Sequence, residues 1–127
     1  MTTMWIVVAG AMGCLLRWSI EEVVERRVLS YRAFATMAVN ILGALITGFV
    51  VVGANQASTR SGLDHFVFLN ESVILTGFCG GFTTFSSAIA IPYLNWIEGA
   101  KVRAAFLIGV TPLACIAAYA VGGLIRV

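Results

Sequence analysis

One stretch, GFCGGFTTFSS (Gly77–Ser87), holds much of this chain's capacity for chemistry. The hydroxyls of Thr83, Thr84, Ser86 and Ser87 stand beside the adjacent glycines Gly80 and Gly81, and the rings of Phe78, Phe82 and Phe85 flank them. Glycine weakens a helix by roughly 1 kcal/mol relative to alanine. Serine and threonine offer the backbone alternative hydrogen bonds. The stretch is therefore expected to interrupt a helix. An aromatic ring carries a positive edge that can meet a small anion where no full charge is available; ordinary packing is the plainer use of the same three rings. Nothing here resembles a nucleophile with its base or a metal-ligand cluster, so enzyme classes gain no support.

The remaining polar groups inside apolar sequence are few. Asn40 brings an amide with two donor hydrogens and an acceptor oxygen, suited either to an interhelical hydrogen bond or to a hydrated path. With Thr47, Thr83, Thr84, Ser86 and Ser87 it could form a polar track. Arg17 is the only clearly intramembrane cation and lies near the end of its span. Either it snorkels to the interface, or it stands in an aqueous vestibule where fixed positive charge gathers anions. No carboxylate lies at the centre of any apolar segment: Glu21 and Glu22 end the first, and Glu71 is near the start of the third. A proton- or cation-coupled small exporter needs such a carboxylate. Its absence favours a passive path, or an anion as the species moved.

The elements that must position these groups are membrane spans. Of 127 residues 60% are hydrophobic and 11% charged, and the mean hydropathy is +0.96. Soluble domains carry about 25% charged residues, so the chain is expected to be an all-α, multi-pass membrane protein. The formal charge of +2 is too small and dispersed for a nucleic-acid partner. One domain over residues 1–127 is expected, with spans at about 4–20, 34–54, 66–96 and 104–125. The opening MTTMWIVVAGAMG has no basic region before its apolar run, so it reads as a retained span. The third segment, roughly 31 residues, is long for a crossing that needs about 20. Two half-helices with a break at Gly80–Thr84 would absorb the excess.

Other features have plain readings. Cys14, Cys79 and Cys115 are widely separated, odd in number and without metal spacing, and read as small helix filler. His65 falls in a polar loop, and Pro92 and Pro112 are expected to kink their helices. The pairs Gly43–Thr47, Ala44–Gly48 and Ala118–Gly122 have the spacing that lets helix backbones approach closely.

Three stretches, GAMGCLLRW in the first segment, VNILGALITG in the second and GFCGGFTTFS in the third, together resemble the Fluc (CrcB-type) fluoride channel family, in its order and over essentially the whole chain. The resemblance implies a passive, fluoride-selective channel in the cell membrane that relieves fluoride toxicity. It implies an antiparallel dimer with dual topology and a structural Na+ at its centre, held by backbone carbonyls of Gly80 and Thr83. It places Asn40, Arg17, Phe85, Thr84 and Ser86 along the anion pathway; Phe82, which flanks the same break, and Thr111 of the fourth segment are expected to join them.

Departures from the family pattern sharpen the expectation. Relatives commonly read TTFSTFS, often with a Glu shortly after; here Ala88 replaces the second ring and Ile91 the Glu. The fourth segment offers only Thr111, Cys115 and Tyr119 as polar groups. Arg26, Arg27, Arg32, Lys101 and Arg103 fall on one side, against Arg60 and Arg126 on the other. Lys and Arg in short loops set orientation, so this bias puts both termini outside. It also suits a fixed orientation better than dual topology. The partner is accordingly a second copy of the chain or an oppositely biased relative, with this chain then a half-competent or non-conducting subunit. A small coupled exporter is the third reading.

Overall fold

An apolar helix of 25 residues is about 38 Å long at 1.5 Å per residue, more than the roughly 30 Å of a bilayer's hydrocarbon core. The computed structural model of the chain, which describes residues 2–27, 32–61 and 71–125, has four 25-residue spans of this kind: Thr2–Arg26, Arg32–Gln56, Val73–Ile97 and Lys101–Ile125. The described residues contain helices and no strand. They form α1 (Thr2–Arg27), α2 (Arg32–Ser61), α3 (Val73–Cys79, π-helical, continued by α-helical Gly80–Phe82), α4 (Phe85–Ile97) and α5 (Lys101–Ile125). The chain is a multi-pass membrane protein.

The helices outrun the apolar segments. α1 continues from the expected end near Ile20 through the polar run to Arg27, where Glu22 accepts from Arg26 Nε at 2.6 Å. α2 likewise runs past Ala54 to Ser61. Hydropathy marks what hydrocarbon can hold, whereas a helix ends only where its hydrogen bonding stops. His65 and Arg126 lie outside the described residues. Pro92 and Pro112 both sit within helices, α4 and α5.

Two residues separate α3 from α4. Thr83 (φ −83°, ψ 159°) and Thr84 (φ −144°, ψ 115°) are extended. The glycines play a different part from the one expected of them. Gly80 is helical (φ −63°, ψ −37°), and Gly81 lies inside the following helical turn. What Gly81 contributes is the missing Cβ: a methyl there would drive into the carbonyl oxygen of Gly10 on α1. A Cβ on Gly13 would meet the Phe78 carbonyl in the same way. α1 therefore lies directly on the backbone of α3.

The other tight seam joins α2 to α5. A Cβ on Gly48 would strike the Tyr119 carbonyl, and one on Gly122 the Leu45 carbonyl. These are members of the small-residue pairs seen in the sequence, and close backbone approach is what such residues permit. Large apolar side chains such as Trp5, Met12, Leu113 and Ile116 point outward and exposed, as suits a surface wetted by lipid.

Candidate functional site

Thr84 is the pivot of the only extended pair within a described span, and Asn40 holds it. Asn40 on α2 donates from Nδ2 to the Thr84 carbonyl at 3.0 Å, and its Oδ1 accepts from the Thr84 N–H at 2.8 Å. In a continuous helix that N–H would turn back to the Gly80 carbonyl. One amide side chain thus replaces the partner that the Thr84 N–H loses by being extended, and adds a donor to the Thr84 carbonyl, which as the N-cap position already serves the first turn of α4. Unpaired backbone groups are costly at membrane depth, so the asparagine and the interruption depend on each other. Asn40 is 9% exposed, and its second Nδ2 hydrogen is left for a further acceptor.

The Thr84 side chain restarts the helix. Its Oγ1 accepts from the Ser87 N–H at 3.3 Å as the N-cap of α4, and donates to Ser87 Oγ at 3.2 Å. Removing this cap by Thr84→Ala should cost about 1 kcal/mol, read as a lower thermal midpoint in detergent. Ser86→Ala, at an exposed position, should stay within about 0.5 kcal/mol of the parent.

A groove of about 530 Å³ opens between α2, α3, α4 and α5 at this point. Asn40, Thr47, Thr83, Thr84 and Thr111 give it a polar strip, and Phe85, Ala88, Ile108 and Pro112 are among its apolar walls. Among the described residues, no Asp, Glu, Lys or Arg lines it. Two of the hydroxyls have committed their protons to helix carbonyls, which can only accept: Thr83 Oγ1 donates to Cys79 O at 2.9 Å, and Thr47 Oγ1 to Gly43 O at 2.8 Å. The donors able to face a solute are consequently fewer than the hydroxyl count suggests. They include the spare Asn40 hydrogen, with Thr111 presented from α5.

The candidate residues divide into two groups. Asn40, Gly80, Thr83, Thr84, Phe85 and Thr111 meet in this groove, and Phe85 is 81% exposed. Phe82 is placed in the core, 2% exposed, stacked on Phe78 with ring centroids 5.5 Å apart. Ser86 lies on the outer side of the Thr84 hydroxyl, 3.3 Å from it. Arg17 is on α1, away from the groove, with Nη2 3.3 Å from Cys14 Sγ and a buried Nε without a partner.

Sequence reasoning missed two features. Cys79, Cys115 and Tyr119 also line the groove, which follows from helix rotation rather than residue type. Glu21 is buried and accepts from Thr36 Oγ1 at 3.1 Å. The sequence places Glu21 only at the end of the first apolar segment; a threonine one turn before Asn40 was the signal available.

Known proteins place this arrangement in context. Residues 4–123 match the family described as CrcB-like protein, Camphor Resistance (CrcB). The "Fluoride-specific ion channel FluC 2" of Cutibacterium acnes is 32% identical over 90 residues, 69% of this chain and 67% of that protein. The "Fluoride-specific ion channel FluC" of Syntrophotalea carbinolica is 35% identical over 92 residues, 68% of this chain and 66% of that protein. A "Fluoride-specific ion channel FluC 2" from Yersinia pseudotuberculosis aligns over 120 residues at 31% identity, covering 94% of this chain and 91% of its own length.

Proposed function

Since the chain belongs to the CrcB family, we propose that it is a subunit of a passive, fluoride-selective channel that lets fluoride leave the cell. It is not an enzyme. The observation that carries the reading is an uncharged groove, otherwise largely apolar, whose polar strip is organised by Asn40 and the extended Thr84. Fluoride is small and strongly hydrated, so a narrow path must offer hydrogen bonds in place of water. Asn40 presents its spare amide hydrogen, Thr111 a hydroxyl, and Phe85 the positive edge of an exposed ring. Arg17 lies outside the groove; its charge contributes only as a field that raises the local anion concentration. Among the described residues no carboxylate lines the groove to carry a coupling proton, which disfavours the exporter reading.

The resemblance also brings a structural Na+ at the centre of an antiparallel dimer, and the donors in this chain fit one. Thr84 gives its N–H to Asn40, which releases the Gly80 carbonyl from its usual helical partner, and extended Thr83 carries a second backbone oxygen. Neutral oxygens of this kind suit a hard cation. Among the described residues no group of His, Cys, Asp and Glu offers a competing metal site. Gly80 and Thr83 would hold the ion, which would tie the two subunits together.

A second reading keeps the channel but pairs this chain with a related one. It is favoured by Ala88, which lines the groove one turn beyond Phe85 and leaves it a single ring on that helix, and by the one-sided Lys and Arg distribution. Liposomes containing only this chain should release fluoride rapidly while retaining chloride. Silence from folded protein, with release restored by an oppositely biased relative, would establish the paired form instead. Silence in both would sink the channel reading.

A further inference from the structure

Glu21 is a carboxylate that the pathway described above does not use, and its surroundings connect it to that pathway. The residue is 6% exposed. Among the described residues it forms no ion pair: Glu22 takes Arg26, and Arg17, one turn earlier on α1, directs Nη2 to Cys14 Sγ. Its polar partner is the buried Thr36, whose Oγ1 donates to Glu21 Oε1 at 3.1 Å. Thr36 stands one turn before Asn40 on α2. It also lines a cavity of about 10 Å³ together with Ser87 and Thr111, room for about one water-sized occupant. Thr111, Ala88 and Leu107 belong both to that cavity and to the groove. The polar strip therefore continues from the groove past Thr111 to Thr36, and ends on a carboxylate.

On the fluoride-channel reading, we propose that Glu21 is a rate-determining barrier residue at the Thr36 end of the anion path. A hydroxyl has one proton. While Thr36 donates it to the Glu21 carboxylate, only lone pairs are left to face the small cavity, and these repel an anion. The unit negative charge behind Thr36 acts in the same direction and is weakly screened in a buried setting. Taking away the charge lifts the electrostatic part of the barrier. It also lets the side chain at position 21 donate to Thr36 Oγ1, which frees the Thr36 hydrogen for an anion.

The test compares fluoride efflux from liposomes bearing the parent chain, Glu21→Gln and Glu21→Asp, each checked for elution as folded protein. Glu21→Gln should release fluoride roughly tenfold faster than the parent, the scale expected for removing one poorly screened charge. Glu21→Asp keeps the charge and should not exceed the parent. A rise is informative because damage to a merely structural contact lowers flux. Adding Thr36→Val to the Gln variant should erase most of its gain, as the donor it releases is gone. Equal or slower release by Glu21→Gln from a conducting parent overturns the barrier and leaves the channel reading standing. If the parent alone is silent, the same variants are compared together with the oppositely biased relative; silence of the parent there as well overturns both readings. If Glu21→Gln does not fold, Glu21→Met carries the same expectation; failure of both to fold assigns the carboxylate to the fold and overturns the proposal.

Discussion

Asn40→Leu should bring fluoride efflux to the background of protein-free liposomes and lower the thermal midpoint in detergent. The variant keeps the bulk of the side chain but removes both hydrogen bonds to Thr84. The buried Thr84 N–H then lacks a partner, at about 1–3 kcal/mol, and the Thr84 carbonyl loses one of its donors. Against a typical total stability of 5–15 kcal/mol, this is a large fraction. Rewinding Thr83 and Thr84 into helix relieves this, and it would close the interruption and take the N-cap of α4 with it. Asn40→Asp separates the two roles of the amide. It retains an acceptor for the Thr84 N–H, loses the donor for the Thr84 carbonyl, and brings a negative charge to the groove. Flux should fall by at least about tenfold, equivalent to 1.4 kcal/mol in the barrier. Parent-like efflux and melting in Asn40→Leu would show that the threonine pair is held by something other than this clamp.

Gly81→Val is expected to be the most disruptive single change in the α1–α3 seam. The new Cβ would have to occupy the space of the Gly10 carbonyl oxygen. A backbone target cannot swing aside as a side-chain tip can, so α1 must lift from α3. Overpacking in a filled core costs typically 1–3 kcal/mol, and a rigid target puts this site at the upper end or beyond. The readout is the yield of monodisperse protein and its thermal midpoint. Gly109→Ala is the matched control on α5, where an added Cβ meets nothing within 4 Å. There the helix gains, by up to about 1 kcal/mol. Equal behaviour of the two variants would mean that glycine acts here through chain flexibility and not through close packing.

The two glycine positions also mark where reading residues one by one goes astray. GGFTT was expected to interrupt its helix over Gly80–Thr84, through weak glycines and competing hydroxyls, yet Gly80 and Gly81 are helical and the extended residues are Thr83 and Thr84 alone. Freedom permits a conformation without demanding it. Threonine at position 84 can stay extended because a side chain on another helix, 44 positions earlier, accepts from its N–H and donates to its carbonyl. In the same way Phe82 and Phe85 are three residues apart and chemically identical, but one is stacked in the core and the other lines the groove.

By itself the sequence determined the membrane class, the number of spans and the family. Each follows from properties that accumulate along the chain: enough apolar residues in a row to match a bilayer, few charges to oppose it, and motifs in a recognisable order. It also singled out Asn40 and Thr111, because a polar group stands out in an apolar segment, and Thr84 and Phe85, because they lie in the helix-weakening stretch itself. The tertiary structure alone decided which candidates meet. Helix rotation and crossing bring Asn40 to Thr84, put Phe82 and Arg17 away from the groove, and bury Glu21 against Thr36. Such pairings depend on the relative placement of separate helices, and a hydrogen bond is sensitive to tenths of an ångström, a scale that no periodicity along one helix can specify.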